Sequence, residues 1–490
     1  MKKGFDNKLY VKLQSEKIKE RIQKFDKLYL EFGGKLFDDY HAARVLPGFE
    51  LDSKINMLLE LKEQAEIIFC INADDIERNK IRADYGITYD MDLLRLIDSM
   101  KELGLTVNSV VITLYKGQNG ALNFKKKLER RNIKTYIHTP TKGYPTDVDV
   151  IVSEEGYGAN PYIETEKPLV VVTAPGPCSG KLATCLSQLY HEHKRGIKAG
   201  YAKFETFPVW DLPLKHPVNI AYEAATADLK DVNMIDNFHL EKYGILAVNY
   251  NRDLQVFPVL KNILNKITGE DIYYSPTDMG VNMIGSCIIN NEAVEKAASD
   301  EIIRRYYNAM TDYRLGLVDE ETPKRIKVLM NELKISDKDR PVIKACLNKA
   351  KEKDTHVVAL ELPSGKIITG KQTELLSPVS SVILNAIKEL TKIPDEVYLL
   401  APNVLEPILK LKGNDQIHNY YLNLQEVLIA LSICSVTNPI IDKALQNLQK
   451  LRHCEAHASY IVTNGDLNIL RNLKINLTCE PEFYSNHLYE

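Results

Sequence analysis

Short, nearly uninterrupted apolar runs recur along the first half of the chain, at Tyr29–Phe32, Ile67–Ile71, Ser109–Leu114, Lys134–Ile137, Val148–Val152, Leu169–Thr173 and Gly244–Val248. Runs of this kind predict strands buried on both faces. Between several of them, Met91–Leu103, Leu122–Arg131 and Leu182–His193 carry apolar residues at helical spacing, and Leu9–Phe25 reads as a surface helix. Strands alternating with helices predict a parallel sheet covered on both faces. The pattern changes near residue 265. Asp300–Met310, Glu320–Leu333 and Ile335–Ala350 read as charged helices. From His356 two strands flank a Ser-Gly turn, a hairpin. Helices at Pro378–Leu390, Leu424–Ile433 and Pro439–Leu451, a strand at Glu396–Leu400 and an apolar run at Ala458–Val462 follow. The expected fold is α/β, with a mostly parallel N-terminal sheet that carries a P-loop-like turn, a helical middle segment and a smaller C-terminal α/β domain. The expected boundaries are 1–265, 266–350 and 351–490.

Composition narrows the class. The chain has 490 residues, 44% hydrophobic and 26% charged, the balance of a globular protein rather than a disordered one. With 63 basic and 66 acidic residues the net charge is −3, which gives no reason to expect binding to nucleic acid or to a membrane surface. The most apolar stretches, such as Leu169–Val172 and Val427–Cys434, fall far short of the ~20 residues a bilayer span needs. The N-terminus is charged and has no apolar core of a secretory signal. Eight scattered cysteines without a C-x-x-C pair are the usage of reduced, buried thiols. A cytoplasmic location is expected.

The sharpest chemical signal is EKPLVVVTAPGPCSGKLATCLSQLY, Glu166–Tyr190. A strand ends at Thr173, a Gly/Pro-rich turn follows, and Ser179-Gly180-Lys181 opens an amphipathic helix. Glycine would let the backbone approach a phosphate, helix-start amides would donate to it, and lysine would neutralise it. The pattern is an imperfect Walker A. Pro175 stands where glycine is wanted, beside Gly176, and Leu182 where a hydroxyl is wanted, with Thr184 two residues on. The phosphate-binding candidates are Gly176, Ser179, Gly180, Lys181 and Thr184. The competing account is a structural turn with a solvated lysine.

A second strand-to-Gly-Gly-Lys turn lies at Gly33, Gly34 and Lys35. If the chain is helical from about Phe37, His41 stands one turn from Asp38 and from Arg44, a cluster able to bind an anion or do acid–base work. A surface salt-bridge network is the alternative. Asn72, Asp74, Asp75, Asn251 and Arg252 follow apolar runs, where open α/β sheets bind ligands, and turn or cap roles compete there. Thr146, Asp147 and Asp149 lie around the start of the run at Val148. Two polar stretches stand out, one the Pro-rich loop Lys203–Asp228 with Trp210, Lys215, His216, Asn219, Glu223 and Asp228, the other SPTDMGVN with Asp278. Zinc has little support. His191-Glu192-His193 lacks the second histidine of H-E-x-x-H, and His453-Cys454-Glu455-Ala456-His457 lacks a following P-C-x-x-C. Glu455 and His457 would share a face if that segment is a strand.

FGGKLFDDYHAARVLPGF, GYPTDVDVIVSEEGYGANPYIET, TAPGPCSGKLATCLSQLYHE, GYAKFETFPVWDLPLKHPVNIAYEAATADL, NYNRDLQVFPVL and SPTDMGVN together resemble a bacterial family catalogued as a domain of unknown function. The resemblance covers essentially the whole chain. Family members usually show GPGSGK where this chain has Cys178. The resemblance implies no reaction, although some relatives are labelled ATP-dependent zinc protease.

The expected function is an enzyme that binds a nucleotide or phosphorylated small molecule and transfers a phosphoryl group, with ATP and Mg²⁺ as cofactors and no zinc. His41 and Asp278 are the candidate catalytic residues, with Asp228 an alternative to Asp278 for holding Mg²⁺. Gly33, Gly34, Lys35, Arg44 and His216 join the phosphate turn in a single site between domains. A homo-oligomer is expected, with no nucleic-acid or membrane partner. Two alternatives stay open: a non-catalytic regulatory or scaffold protein, and a transferase or lyase that acts on a phosphorylated substrate without ATP, with His41 as base.

Overall fold

The computed structural model describes residues 2–82, 86–412 and 421–485. They form two compact units, residues 1–223 with 230–298, and residues 224–229 with 299–490. Residues 266–298 thus belong to the first unit, and 299–350 to the same unit as 351–490.

The first unit is built on seven strands: β1 (Lys27–Phe32), β2 (Ala65–Asn72), β3 (Thr106–Thr113), β4 (Lys134–Ile137), β5 (Leu169–Thr173), β6 (Ala199–Phe204) and β7 (Gly280–Val281). All neighbours are parallel, in the order β7-β6-β1-β5-β2-β3-β4. The apolar runs became strands because the centre of the sheet is covered on both faces, and every residue of β5 is buried. On one face Tyr29, Cys70, Val170, Val172 and Tyr201 pack under the helices Lys181–Lys194 and Asn251–Thr268. The helices used below are α1 (Asn7–Ile22), α2 (Tyr40–Val45), α3 (Ser53–Glu60), α4 (Tyr89–Glu102), α5 (Asn119–Glu129), α6 (Lys181–Lys194) and α7 (Asn251–Thr268).

The connections decide where a ligand belongs. From β1 the chain passes β5 to reach β2, and from β5 it passes β1 in the opposite direction to reach β6. Right-handed crossovers running in opposite directions lie on opposite faces of a sheet. The loops that leave β1 and β5 therefore part at their carboxyl ends, the arrangement of a topological switch point.

Four segments depart from the sequence pattern. Val148–Ile151 is a short helix, because Asp147 caps it by accepting from the Val150 amide (3.1 Å). Thr146, Asp147 and Asp149 thus surround a helix start rather than a strand start. Residues 396–400 form no strand. Val397 donates to the Pro394 carbonyl in a turn, and Tyr398 points to solvent. In the run at residue 244 only Val248 enters a strand, which continues to Tyr250 and pairs antiparallel with Asn233–Ile235 outside the main sheet, while Ile245 and Leu246 are exposed. Lys203 and Phe204, expected at the head of a polar loop, end β6.

The second unit carries the mixed sheet expected for a smaller α/β domain. Its strands are β8 (Val357–Glu361), β9 (Ile367–Lys371), β10 (Glu455–Ala458) and β11 (Asn476–Cys479), in the order β9-β8-β10-β11. β8 and β9 form the antiparallel hairpin, and β10 and β11 are parallel. The core includes Val358, Leu360, Val382, Ile383, Leu431 and Tyr460. Among the described residues, no helix is long and apolar enough to cross a membrane.

Candidate functional site

The two Gly-Lys turns begin side by side. Phe32 is level with Phe204 of β6, and Glu31 with Val172 of β5, so Glu205, Gly33 and Ala174 continue these three strands in one row at the carboxyl edge. Neighbouring strands lie ~4.8 Å apart. The whole edge belongs to the first unit.

The turn between β5 and α6 is tied down by its neighbours. Thr113 at the end of β3 donates to the Ser179 carbonyl (2.7 Å), and Asn72 at the end of β2 donates to the Cys178 carbonyl (3.4 Å). A Cβ on Gly176 would stand 2.7 Å from the Tyr89 ring, and one on Gly180 2.8 Å from Thr113. Gly180 also has φ +80°. These two glycines are required by protein neighbours, a different reason from the expected close approach of a phosphate. Gly180 sits at the cap position of α6 without a side-chain cap, so the first amides of the helix are left for another acceptor. Lys181 is half-buried, and its ammonium has no hydrogen bond or ion pair among the described residues. The Ser179 hydroxyl is buried and finds no hydrogen-bond partner among the described residues either. Thr184 cannot replace the hydroxyl missing at position 182. It is buried, donates to the Gly180 carbonyl (3.0 Å) and accepts from the Cys70 thiol (3.4 Å). Burial pushes that thiol up to about 12, although Lys181 pulls the other way.

Beyond β1, a Cβ on Gly33 would stand 3.2 Å from the Phe204 carbonyl, and one on Gly34 3.0 Å from the Lys54 ammonium. Helix α2 starts at Tyr40, later than Phe37. Asp38 has φ +53° and lies outside the helix, and Asp39 caps it through the Ala42 amide (3.1 Å). The expected Asp38–His41–Arg44 face therefore reduces to His41 and Arg44. The ring of His41 lies against Phe207 and Tyr222, and the Arg44 guanidinium over Tyr40. Lys35 is half-buried beside Gly34. Lys54, missed in the sequence, pairs with Asp39 at 2.7 Å in a buried contact and holds that carboxyl below its ordinary range despite burial. Its only signal was a lysine on the apolar side of α3.

The densest chemistry also escaped the sequence reading. The Lys203 ammonium at the end of β6 meets the hydroxyl of Tyr250, the carboxylate of Asp253 in the first turn of α7, and Glu205 (2.6 Å). Glu31, level with Lys203 on β1, accepts from the Tyr201 hydroxyl (2.7 Å). Burial pushes the Glu205 carboxyl up to about 7, against the pull of Lys203. Lys203 is itself raised by Asp253 and Glu205, which outweigh its burial. The available signal was Lys and Glu at alternate positions in YAKFETF, a charged stripe among apolar neighbours.

Other candidates are engaged elsewhere. His216 accepts from the Val218 amide (3.2 Å) at the start of the helix Pro217–Ala225 and bonds Asn291 (2.9 Å). Asp278 precedes β7, on the amino side of that strand, and accepts from the Tyr243 hydroxyl and the Tyr274 amide, each at 3.0 Å. Neither lies on the row of Gly33 and Ala174. Asp228 belongs to the second unit. Trp210 covers Gly280, and Asn219 bonds both backbone groups of Val209. Asp74 accepts from Gln118, Asp75 pairs with Lys80, and Asn251 accepts from the Val232 amide. Arg252 makes a forked pair with Asp231. Glu192 lies buried against Lys27 (2.9 Å) and Tyr29 (2.7 Å), while His191 and His193 bond the carbonyls of Asn160 and Ala199. In the second unit Glu455 pairs with Arg304 and Arg340, and His457 with Thr478 and Glu480.

Comparison with known proteins adds the family. A family model described as domain of unknown function DUF1846, N-terminal, matches residues 3–334, and its C-terminal counterpart matches residues 338–489. A UPF0371 protein of Clostridioides difficile is 57% identical over 499 residues, covering 100% of both chains. UPF0371 proteins of Clostridium botulinum (57% over 501 residues) and Clostridium tetani (56% over 502 residues) each match 100% of this chain and 99% of their own. The chain belongs to the DUF1846 family.

Proposed function

We propose that this member of the DUF1846 family binds the phosphate of a nucleotide or phosphorylated small molecule at the turn from β5 into α6, which leaves the sheet at its switch point, and acts as an enzyme on that ligand. The observation that carries the reading is Lys181, a half-buried ammonium without an anionic partner among the described residues, at the uncapped start of α6. Open α/β sheets take ligands at such a switch point, and helix-start amides favour anions. The buried, unpaired hydroxyl of Ser179 adds a donor beside it.

Thr184 favours a phosphorylated substrate without ATP over ATP with Mg²⁺, since its hydroxyl is committed to Gly180 and Cys70. Phosphoryl transfer would need its metal ligand from another element. The packing of Gly176 and Gly180 against Tyr89 and Thr113 favours the non-catalytic reading, in which the turn is structural only.

Isothermal titration of nucleotides, sugar phosphates and inorganic phosphate against the wild type and Lys181→Ala separates these readings. A phosphorylated ligand should bind the wild type and lose at least about tenfold in affinity, about 1.4 kcal/mol, in the variant. Equal binding by both proteins removes Lys181 from the site. Absence of binding across the panel favours the structural turn.

A further inference from the structure

We propose that the outer face of the helix α8 (Leu424–Ser435), continued onto the start of α9 (Pro439–Gln446), is an interface on which two copies of this chain pair. The face belongs to the second unit, so the proposal stands apart from the phosphate reading above.

Composition supplies the first argument. Val427–Ile441, VLIALSICSVTNPII, contains no Asp, Glu, Lys, Arg or His. A globular chain of average composition would carry about four charged residues in a stretch of that length. A surface helix normally turns an apolar stripe to the core and charged residues to water. Helix α8 turns Leu424, Val427, Ala430 and Leu431 into the core of its unit. Its other side presents Ile429 and Ile433 to solvent instead of charges. A helix apolar on both sides is the kind that is covered on both sides.

Area supplies the second. Ile429, Ile433 and Val436 follow at intervals of four and three, the spacing that stacks side chains on one side of a helix. Ile440 follows at the second position of α9, which packs against α8. These four residues are 53%, 68%, 85% and 52% exposed. Together they present on the order of 400 Å² of apolar surface, the size of the largest patch on a typical monomer. Doubled by a second copy, that is about 800 Å² buried. The exposed polar residues beside the stripe, Gln425, Ser432, Thr437 and Asn438, bring the contact to the ~1,200 Å² at which specific interfaces begin.

The absence of charge selects the occupant. A lipid surface is held by apolar residues flanked by Lys and Arg, and Val427–Ile441 has neither. An acidic or basic partner finds nothing here to pair with. What this face fits is another uncharged, apolar helix face, and every copy of the chain brings one. Two-fold pairing, the commonest association of identical chains, sets a patch against itself. With the two α8 helices antiparallel, Ile433 meets Ile433 of the partner subunit, and Ile429 meets Val436 of the partner subunit. Side chains spaced four and three apart interlock in this way.

The test is analytical ultracentrifugation of the full-length protein, with melting followed by circular dichroism to check the fold. The wild type should sediment as a dimer or an even multiple of the chain. Ile433→Glu sets like charges together at the centre of the contact, and should weaken association at least about 100-fold. The variant should therefore show half the wild-type mass and an intact melting transition, since residue 433 faces solvent in the single chain. If Ile433→Glu loses that transition, Val436→Lys, at the end of the helix, should halve the mass in its place. A mixture of Ile433→Lys and Ile433→Glu should regain the wild-type mass, because Ile433 meets its own counterpart. A wild type monomeric at about 100 µM, above the dissociation constants of interfaces this size, overturns the proposal. So does a folded variant of unchanged mass, or a mixture that stays dissociated. A monomeric wild type that floats with vesicles of phosphatidylcholine and phosphatidylglycerol overturns it too, and gives the face to a lipid surface.

Discussion

At the scale of single residues, Glu205 illustrates how one position couples chemistry to stability. Its carboxyl titrates at about 7 in the fold, above the ordinary 4.5, because burial disfavours the charge. The folded state therefore holds a proton that the unfolded chain has lost, and this contribution to stability fades as pH rises from 4.5 through 7. His138 has the opposite slope. Burial lowers it to about 4, so its neutral fold loses stability as pH falls below 6.5. Subtracting one protein from the other cancels His138. Denaturant unfolding of the wild type and Glu205→Gln between pH 5 and 7.5 should show the wild type losing ground to the variant as pH rises. A constant difference would mean that Glu205 is ionised throughout. Glu192 shows the contrary design, a buried carboxylate matched by Lys27 and by the hydroxyls of Tyr29 and Tyr162, which occupies the sequence position that suggested a metalloprotease.

At the scale of elements, β6 depends on an unusual partner. β7 pairs only with Lys203 and Phe204, which leaves the outer edge of β6 short of strand partners lower down. The Tyr273 hydroxyl fills one gap, donating to the Tyr201 carbonyl (2.6 Å) and accepting from the Tyr201 amide (2.9 Å). A side chain thus does the work of a neighbouring strand. Tyr273→Phe strands both buried backbone groups and should cost about 1–3 kcal/mol in equilibrium unfolding. A loss below a few tenths would show that the edge of β6 holds without it. The same strand carries Lys203, so the variant should also loosen the cluster at its end.

On the scale of the whole molecule, one hydrophobic core cluster of the second unit lies wholly within residues 358–479. Its hairpin, β10 and β11 form one four-stranded sheet that takes no strand from the first unit. A fragment of residues 299–490 should accordingly fold alone, with a cooperative thermal transition followed by circular dichroism. A broad, non-cooperative melt would show that residues 224–229 or other parts of the chain are needed. The candidate phosphate turn and the Lys203 cluster both lie in the first unit, so the fragment should not bind the ligands proposed for the full chain.

The strands β1 to β5, the hairpin β8–β9 and helices such as α6 could be read from the sequence because apolar run length and periodicity are local properties. So could the two Gly-Lys turns, whose spacing after a strand is visible in the chain. Strand β6 could not. AGYAKF contains glycine and a lysine, and it becomes a strand because β1 offers a free edge and Asp253, on α7, meets the lysine charge. The failed strands at residues 148 and 396 show the reverse, adequate local pattern overruled by a cap and by a turn. The reason for glycine at 180 lies in Thr113, and the unavailability of Thr184 lies in Cys70 and Gly180. Element type follows from the order of residues along the chain. Which residues share an edge follows from strand order, and strand order is set by contacts between segments far apart in sequence, which no local window contains.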